Sequence, residues 1–340
     1  MPTHIFGPCS AETRDQVLLT ARQLKEACGE LPFIFRAGVW KPRTSPSSFQ
    51  GAGEKALEWL QEVQQMGISV ATEVATPEHV IAALKAHIDY LWIGARTSAN
   101  PIAVQEIANA ISDLRFKILD WELKGVLIKN PVNADAALWL GNLERLEKTG
   151  VPVLAVHRGC GHKPCWAMAH ALRSARPDIP LLIDPSHMSG DATQIPALLS
   201  KAAELNYDGT MIEVHCCPEE ALSDNRQQLT PSECRRLIEV SSGLHREIST
   251  SDTELNWLRA EMDEVDDRLW ETLAERMDVS HRIGAYKQAK ALSALQPERY
   301  RQIVETRLKW AERHGIPAAF VQQLFDIIHR ESVRIQEERD

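Results

Sequence analysis

The stretch GVLIKNPVNADAALWLGNLERLEKTGVPVLAVHR, residues 125–158, holds one full repeat of the pattern that decides the fold. A short run of branched apolar residues, 125–129, ends on Lys129. A polar loop follows, then an amphipathic helical stretch at 136–147, then a second apolar run at 151–157 that leads into Arg158. Such runs are too short for helices and too uniformly apolar for an exposed edge, as strands buried on both faces of a parallel sheet must be. Working outward, the same unit recurs from residue 3 to about 240. Strand-like runs fall at 5–9, 33–37, 69–74, 90–94, 125–129, 151–157, 181–184 and 210–215, with helical stretches such as 14–27, 53–65 and 77–86 between them. Eight alternating units predict an α/β fold, a closed (β/α)8 TIM barrel over residues 1–240 rather than an open doubly wound sheet.

The pattern stops after Leu237. Ser241, Ser242, Gly243, Ser249, Thr250 and Ser251 make a polar stretch that reads as a linker over 241–252. Beyond it no strand-like run appears. Leu255, Leu258, Met262, Val265, Leu269, Leu273 and Met277 step by three and four, marking a helix capped by Asp252 or Thr253 and reaching about Ala289. Two more helices are expected, after Pro297 and after Pro317. Three helices with one very long member bury little alone. Residues 253–340 are therefore expected to form a small all-α domain that makes a homodimer through its long helix.

With 340 residues, 44% of them hydrophobic and 25% charged, the chain has room for two ordinary globular cores. A net charge of −9 with no basic stripe argues against a nucleic-acid partner. No apolar run approaches membrane length and no signal-like segment opens the chain, so a cytoplasmic enzyme without membrane association is expected. Seven cysteines, an odd number, make a poor disulfide framework and suggest reduced thiols or metal ligands. Cys160, Cys165, Cys216 and Cys217 lack the paired spacing of a structural zinc site and read as loop or packing thiols.

Barrel enzymes carry their chemistry at the C-terminal ends of the strands, and the polar residues of this chain collect there. Cys9, His187, Glu213 and Asp224 offer a thiolate, an imidazole and two carboxylates, a mixed set that suits a catalytic divalent transition metal. Arg36, Lys41, Arg43, Arg96, Lys129 and Arg158 offer cations to one cavity, which asks for phosphates and carboxylates. A lone strand-end histidine is more often packed than a ligand, and a lone arginine is usually solvated. Nearly every strand contributes here, and at the same end, which favours a site.

The segments GPCSAE at 7–12, KPRTSPSSFQG at 41–51, IGAR at 93–96, IDPSH at 183–187 and EVHCCPEEALSD at 213–224 resemble type I DAHP synthase, closest to its short-barrel subgroup. That resemblance implies a condensation of phosphoenolpyruvate with erythrose 4-phosphate, assisted by a divalent metal ion (Mn2+ or similar) as Lewis acid. It makes Cys9, His187, Glu213 and Asp224 the metal ligands. Arg36, Lys41, Arg96, Lys129 and Arg158 would hold phosphoenolpyruvate, with Lys129 also delivering a proton, while Arg43 and Thr44 would hold the phosphate of the aldose. The wording departs from the commoner pattern at Lys129-Asn130-Pro131 and Arg158-Gly159-Cys160. The related synthase that uses arabinose 5-phosphate is the competing reading, although its loop normally reads KANR where this chain has Lys41-Pro42-Arg43-Thr44.

In the tail, LRAEMDEVDDRLWETLAER, GAYK at 284–287, PER at 297–299 and ESVRIQ at 331–336 resemble the all-helical chorismate mutases. The resemblance implies that Arg259, reaching in from a partner subunit, and Arg276 bind the two carboxylates of chorismate. Lys287 and Gln336 would donate to the breaking ether oxygen, and Arg299 and Ser332 would complete the site on the way to prephenate. A unimolecular rearrangement needs only a held conformer and stabilised charge, not a base or nucleophile. Gln296 and Tyr300 stand where acidic residues that meet the substrate hydroxyl are often found. A non-catalytic tail that binds an effector and dimerises is the alternative, and feedback inhibition through the tail is expected in either case.

Overall fold

The computed structural model describes residues 3–41, 47–114, 121–248 and 252–337, with backbone alone from 240 to 248. Strands β1 (Thr3–Gly7), β2 (Ile34–Arg36), β3 (Ser69–Val74), β4 (Tyr90–Ile93), β5 (Gly125–Lys129), β6 (Val153–His157), β7 (Leu181–Ile183) and β8 (Gly209–Glu213) close in sequence order into one barrel. Every neighbouring pair is parallel, and β1 meets β8 with Ile5 opposite Met211. Helices α1 (Arg14–Cys28), α2 (Lys55–Gln65), α3 (Pro77–Lys85), α4 (Ala95–Ser98), α5 (Pro101–Leu114), α6 (Ala136–Glu147), α7 (Trp166–Ala175), α8 (Pro185–Ser189), α9 (Ile195–Glu204) and α10 (Pro231–Ile248) accompany the strands.

Local chemistry starts these helices where the sequence places caps. Thr13 accepts from the Gln16 amide at α1, and Thr76 precedes Pro77 and accepts from the His79 amide at α3. Two apolar layers then form. Ile5, Ala71, Trp92, Leu127, Val156, Leu182 and Met211 fill the barrel lumen, and a larger cluster lies between strands and helices. Burying each Leu, Ile or Val of these layers contributes roughly 1.5–3 kcal/mol, and the polar residues buried within the strands are hydrogen-bonded, His4 to Thr210 at 3.0 Å and Thr72 to the Ala37 carbonyl at 2.9 Å.

The polar stretch that suggested a linker from Ser241 has helical backbone to Ile248, because α10 continues through it. Serine and glycine are weak helix formers, so their composition read as a loop. Two compact units divide the chain, Met1–Glu261 and Met262–Asp340. The first contains the start of α11 (Thr253–Ala289), capped by Asp252, whose carboxylate accepts from the Leu255 amide at 3.2 Å. There Trp257 is buried, stacked on His170 with rings 4° from parallel, and packed against Tyr207.

The second unit holds the rest of α11 with α12 (Pro297–Arg313) and α13 (Ala318–Glu337). Ala311 and Ile335 are its only buried hydrophobic side chains among the described residues. Met262, Val265, Leu269 and Trp270 stay exposed along α11, as do Phe320, Leu324 and Ile327 on α13. No described helix is long and apolar enough to cross a membrane.

Candidate active sites

Strand parity positions the barrel's functional groups. Alternate residues of a strand face the same side, so the residue two beyond a lumen-filling side chain also points inward, one layer higher. Ile34 thus leads to Arg36, Ala71 to Glu73, Leu127 to Lys129, Val156 to Arg158, Leu182 to Asp184 and Met211 to Glu213. On β1 the corresponding residue is Gly7, with φ of 146°, where a Cβ would lie 2.1 Å from the Arg36 carbonyl oxygen. Only glycine lets β1 pass β2 there and deliver Cys9 to the mouth.

Cys9, Glu213 and Asp224 bring ligand-type atoms within 4.8 Å of one another. Cys9 Sγ donates to Asp224 Oδ2 at 2.9 Å. Burial, then the neighbouring Glu213 carboxylate, pushes the Cys9 thiol up to about 12, so the set on its own keeps that proton. His187 Nε2 lies 3.5 Å from Glu213 Oε1, while its Nδ1 faces Asp184 at 2.9 Å. A carboxylate on Nδ1 fixes the tautomer and turns the Nε2 lone pair toward the acidic pair, the way metal-binding histidines are held. Burial keeps this imidazole below its ordinary value, hence neutral. Glu213 Oε2 accepts from Gln227 at 2.7 Å, but the buried Oε1 has no hydrogen-bond donor among the described residues, Arg36 Nη2 lying 3.1 Å away without the alignment for one. A buried carboxylate oxygen without a donor, beside a thiol and an imidazole lone pair, fits a divalent transition metal.

Next to this set lies a cavity of about 410 Å³ lined by Arg36, Lys41, Arg96, Lys129 and Arg158. Arg36 is buried with its guanidinium 4.6 Å over the Trp92 ring, and its Nε and Nη1 have no hydrogen-bond partner among the described residues. Buried donors of this kind are satisfied by an anionic ligand. Lys41 Nζ donates to the Cys9 carbonyl at 3.1 Å and faces Glu73 at 3.7 Å. The Arg158 backbone amide donates to Asn130 Oδ1 at 2.7 Å, and its guanidinium reaches toward the His187 carbonyl at 3.5 Å. Arg96 stands exposed at the rim on α4. Arg43 and Thr44 lie outside the described residues.

Lys129 Nζ donates to Asp184 Oδ2 at 2.6 Å, both groups buried. Burial holds the ammonium below the ordinary lysine value. Burial works against the Asp184 carboxylate too, but its close contacts with His187 and Lys129, each hydrogen-bonded to it, outweigh that and hold it well below the usual carboxylate range. Sequence reasoning assigned Asp184 no role, although its position two beyond Leu182 marked it. Gln227, and Gln228, whose Oε1 accepts from the Cys9 amide at 3.1 Å, end a short 3-10 turn after β8 and carried no such signal.

In the helical unit, Arg276 hydrogen-bonds to Ser332, and Lys287 donates to Gln336 Oε1 at 2.8 Å. Gly284 makes room for this meeting of α11 and α13: a Cβ there would lie 2.9 Å from Gln336 Cα. Arg299 is exposed on the first turn of α12 and no hydrogen bond joins it to these residues. Arg259 is exposed on α11 within the first compact unit. Gln296 precedes α12, and Tyr300 hydrogen-bonds to Asp326.

Fold and sites together define a (β/α)8 enzyme barrel joined to a helical module. The chain belongs to the DAHP synthetase I family, which it matches over residues 2–250, and carries a chorismate mutase type II domain over 258–337. A phospho-2-dehydro-3-deoxyheptonate aldolase of Thermotoga maritima is 32% identical over 234 residues, covering 67% of this chain and 65% of that protein. A 2-dehydro-3-deoxyphosphooctonate aldolase of Legionella pneumophila is 28% identical over 260 residues, covering 69% of this chain and 88% of that one. The crystal structure of the DAHP synthase from Thermotoga maritima superimposes with a TM-score of 0.61 at 28% identity, over 72% of this chain and 69% of that chain.

Proposed function

We propose that the protein is a bifunctional enzyme: its barrel condenses phosphoenolpyruvate with erythrose 4-phosphate to DAHP, and its helical domain rearranges chorismate to prephenate. The observation that carries the first activity is the convergence of the Cys9–Glu213–Asp224 set with five cations at one barrel mouth. Cys9, His187, Glu213 and Asp224 would hold a divalent ion such as Mn2+, which when bound supplies Lewis-acid polarisation of the aldehyde. Arg36, Lys41, Arg96 and Arg158 bind and orient the phosphate and carboxylate of phosphoenolpyruvate. Arg43 and Thr44 bind the phosphate of the aldose. Lys129 passes a proton from Nζ to the aldehyde oxygen as the new carbon–carbon bond forms, and Asp184 holds that ammonium in place. Water then adds to the former enol C2 and phosphate departs.

For the second activity, Arg276 with Ser332 binds one carboxylate, and Lys287 with Gln336 faces the ether oxygen, with Arg299 completing the site. Seventeen positions of α11 separate Arg259 from Arg276, roughly 25 Å at the helical rise, so Arg259 serves a partner's site rather than its own. The exposed apolar stripe on α11 supports the homodimer this requires. Prephenate or chorismate bound in this domain would report pathway output to the barrel as feedback.

One set of assays tests the whole reading. The full-length protein should consume phosphoenolpyruvate with erythrose 4-phosphate and not with arabinose 5-phosphate, lose that activity in EDTA, recover it with Mn2+, and consume chorismate without added metal. Preference for arabinose 5-phosphate would move the barrel to the aldolase class of the Legionella relative. Absence of chorismate loss in a confirmed dimer would leave the tail a binding module.

A further inference from the structure

The helical domain contains a histidine that the assigned mutase residues leave unused. His329 lies on α13 three residues before Ser332 and seven before Gln336. At about 100° per residue these three fall within an arc of about 60°, so His329 shares the face that carries the proposed substrate contacts. Its ring packs on Tyr300, centroids 4.6 Å apart, and stacks on Phe325 at 5.9 Å. Its Nε2 is buried and has no hydrogen-bond partner among the described residues. Burial, followed by the positive charge of Arg276, keeps the imidazole below its ordinary value and therefore neutral, with one N–H to donate.

The neighbouring groups say what that nitrogen is for. Chorismate offers two carboxylates, an ether oxygen and a ring hydroxyl. Arg276 with Ser332, Lys287 with Gln336, and a partner's Arg259 account for the first three. The hydroxyl is left, and the polar side chains that flank Arg299 at the start of α12 are Gln296 and Tyr300. The Tyr300 hydroxyl is already engaged with Asp326, and the Gln322 side chain donates to the same Asp326 oxygen at 2.9 Å. Tyr300 is thus spoken for as a wall, and the unpartnered polar atom beside it belongs to His329.

We propose that His329 is a substrate-binding residue of the mutase site, its Nε2 hydrogen-bonding to the ring hydroxyl of chorismate, with Tyr300 and Asp326 as positioning residues that hold the imidazole ring. This rests on the mutase reading given above. The hydroxyl meets a neutral imidazole, so this contact adds no negative charge beside the substrate's own two carboxylates.

The test compares chorismate with an analogue lacking the ring hydroxyl, in the full-length protein. His329→Phe keeps the ring packing and removes the nitrogen. It should lower kcat/KM for chorismate about tenfold, the usual loss for one neutral hydrogen bond, and leave kcat/KM for the deoxy analogue unchanged within twofold. His329→Asn, which keeps a donor, should recover part of the loss. Tyr300→Phe, which cuts the tie to Asp326, should show a smaller loss of the same selective kind. An equal loss of both substrates, or no loss with chorismate, would overturn the proposal. Should His329→Phe alter the dimer or its circular dichroism, His329→Asn carries the comparison alone, and equal effects on the two substrates would again overturn it. If the unmodified protein rearranges neither compound, the mutase reading itself fails.

Discussion

Asp184 stands between Lys129 and His187, 2.6 Å from the ammonium of one and 2.9 Å from Nδ1 of the other, with its carboxylate wholly buried. A single side chain thus joins the cation bank to the proposed metal ligands. Asp184→Asn removes the counter-charge and leaves a buried ammonium unpaired, which should cost roughly 3–5 kcal/mol of barrel stability. Urea denaturation would measure it. Unchanged stability would mean that Lys129 finds another partner or sheds its proton.

Cys9→Ala removes a proposed ligand without removing barrel core, since Cys9 lies beyond the end of β1. Bound metal, measured by elemental analysis after dialysis against a fixed free-ion level, should fall roughly tenfold or more. The circular dichroism spectrum should stay the same. Full metal content in the variant would remove Cys9 from the ligand set.

A pH effect is expected away from the active sites. His170 lies between Glu254 and Glu261 on α11, its Nε2 3.2 Å from Glu254, under the ring of Trp257. Burial disfavours the imidazolium, but the hydrogen bonds to Glu261 and Glu254 outweigh it and raise its pKa above 6.5. A raised pKa in the folded state means that this contact stabilises fully below the unfolded value and fades as pH rises through the folded one. Thermal unfolding of the barrel unit should therefore lose some stability from pH 6 upward into the mildly alkaline range. His170→Gln should flatten that slope. The same slope in both proteins would assign it to other groups.

Much of this is legible in the sequence, and for a physical reason. Strands buried on both faces are predominantly apolar, so the run at 125–129 is readable on its own and coincides with β5. The inward parity that carries Leu127 to Lys129 and Met211 to Glu213 made the strand ends readable as well. Gln227 and Gln228 were invisible because the single 3-10 turn at 225–227 is too short to show a period that would place its side chains. The start of α11 carries a second pattern. Its stripe of Leu255, Leu258 and Met262 is exposed, as a dimer surface requires, yet Trp257 and Ala260 on another face are buried in the barrel's unit. A helix serving two surfaces shows only its longer stripe to a periodicity count.

That double use decides how feedback should be tested. Cutting near Ser242 would break α10, and cutting before Thr253 would strip Trp257 from the barrel's unit. Ending the chain after Glu261 keeps both. Prephenate at micromolar to millimolar levels should inhibit the full-length synthase and leave the chain ending at Glu261 uninhibited, because a ligand inhibits only through a site that binds the inhibited arrangement more tightly. Inhibition that survives the truncation would put the effector site on the barrel.

The dimer itself can be tested by complementation. If Arg259 serves the partner's site, Arg259→Ala and Lys287→Ala should each abolish chorismate rearrangement as pure homodimers. Co-expressed in equal amounts, they should form mixed dimers in half of the population. In a mixed dimer one site has both substitutions, and the other pairs an intact Lys287 with an intact Arg259 from across the axis. The mixture should therefore recover roughly a quarter of the unmodified activity, the statistical share of intact sites in a two-fold assembly. Leu269→Glu, which places a charge in the exposed stripe of α11, should yield monomers by sedimentation and no rearrangement, alone or in any mixture. Recovery of nothing from the mixture, with mixed dimers confirmed by mass, would show that Arg259 and Lys287 act within one chain, and the long helix would then have to bend to bring Arg259 to its own site.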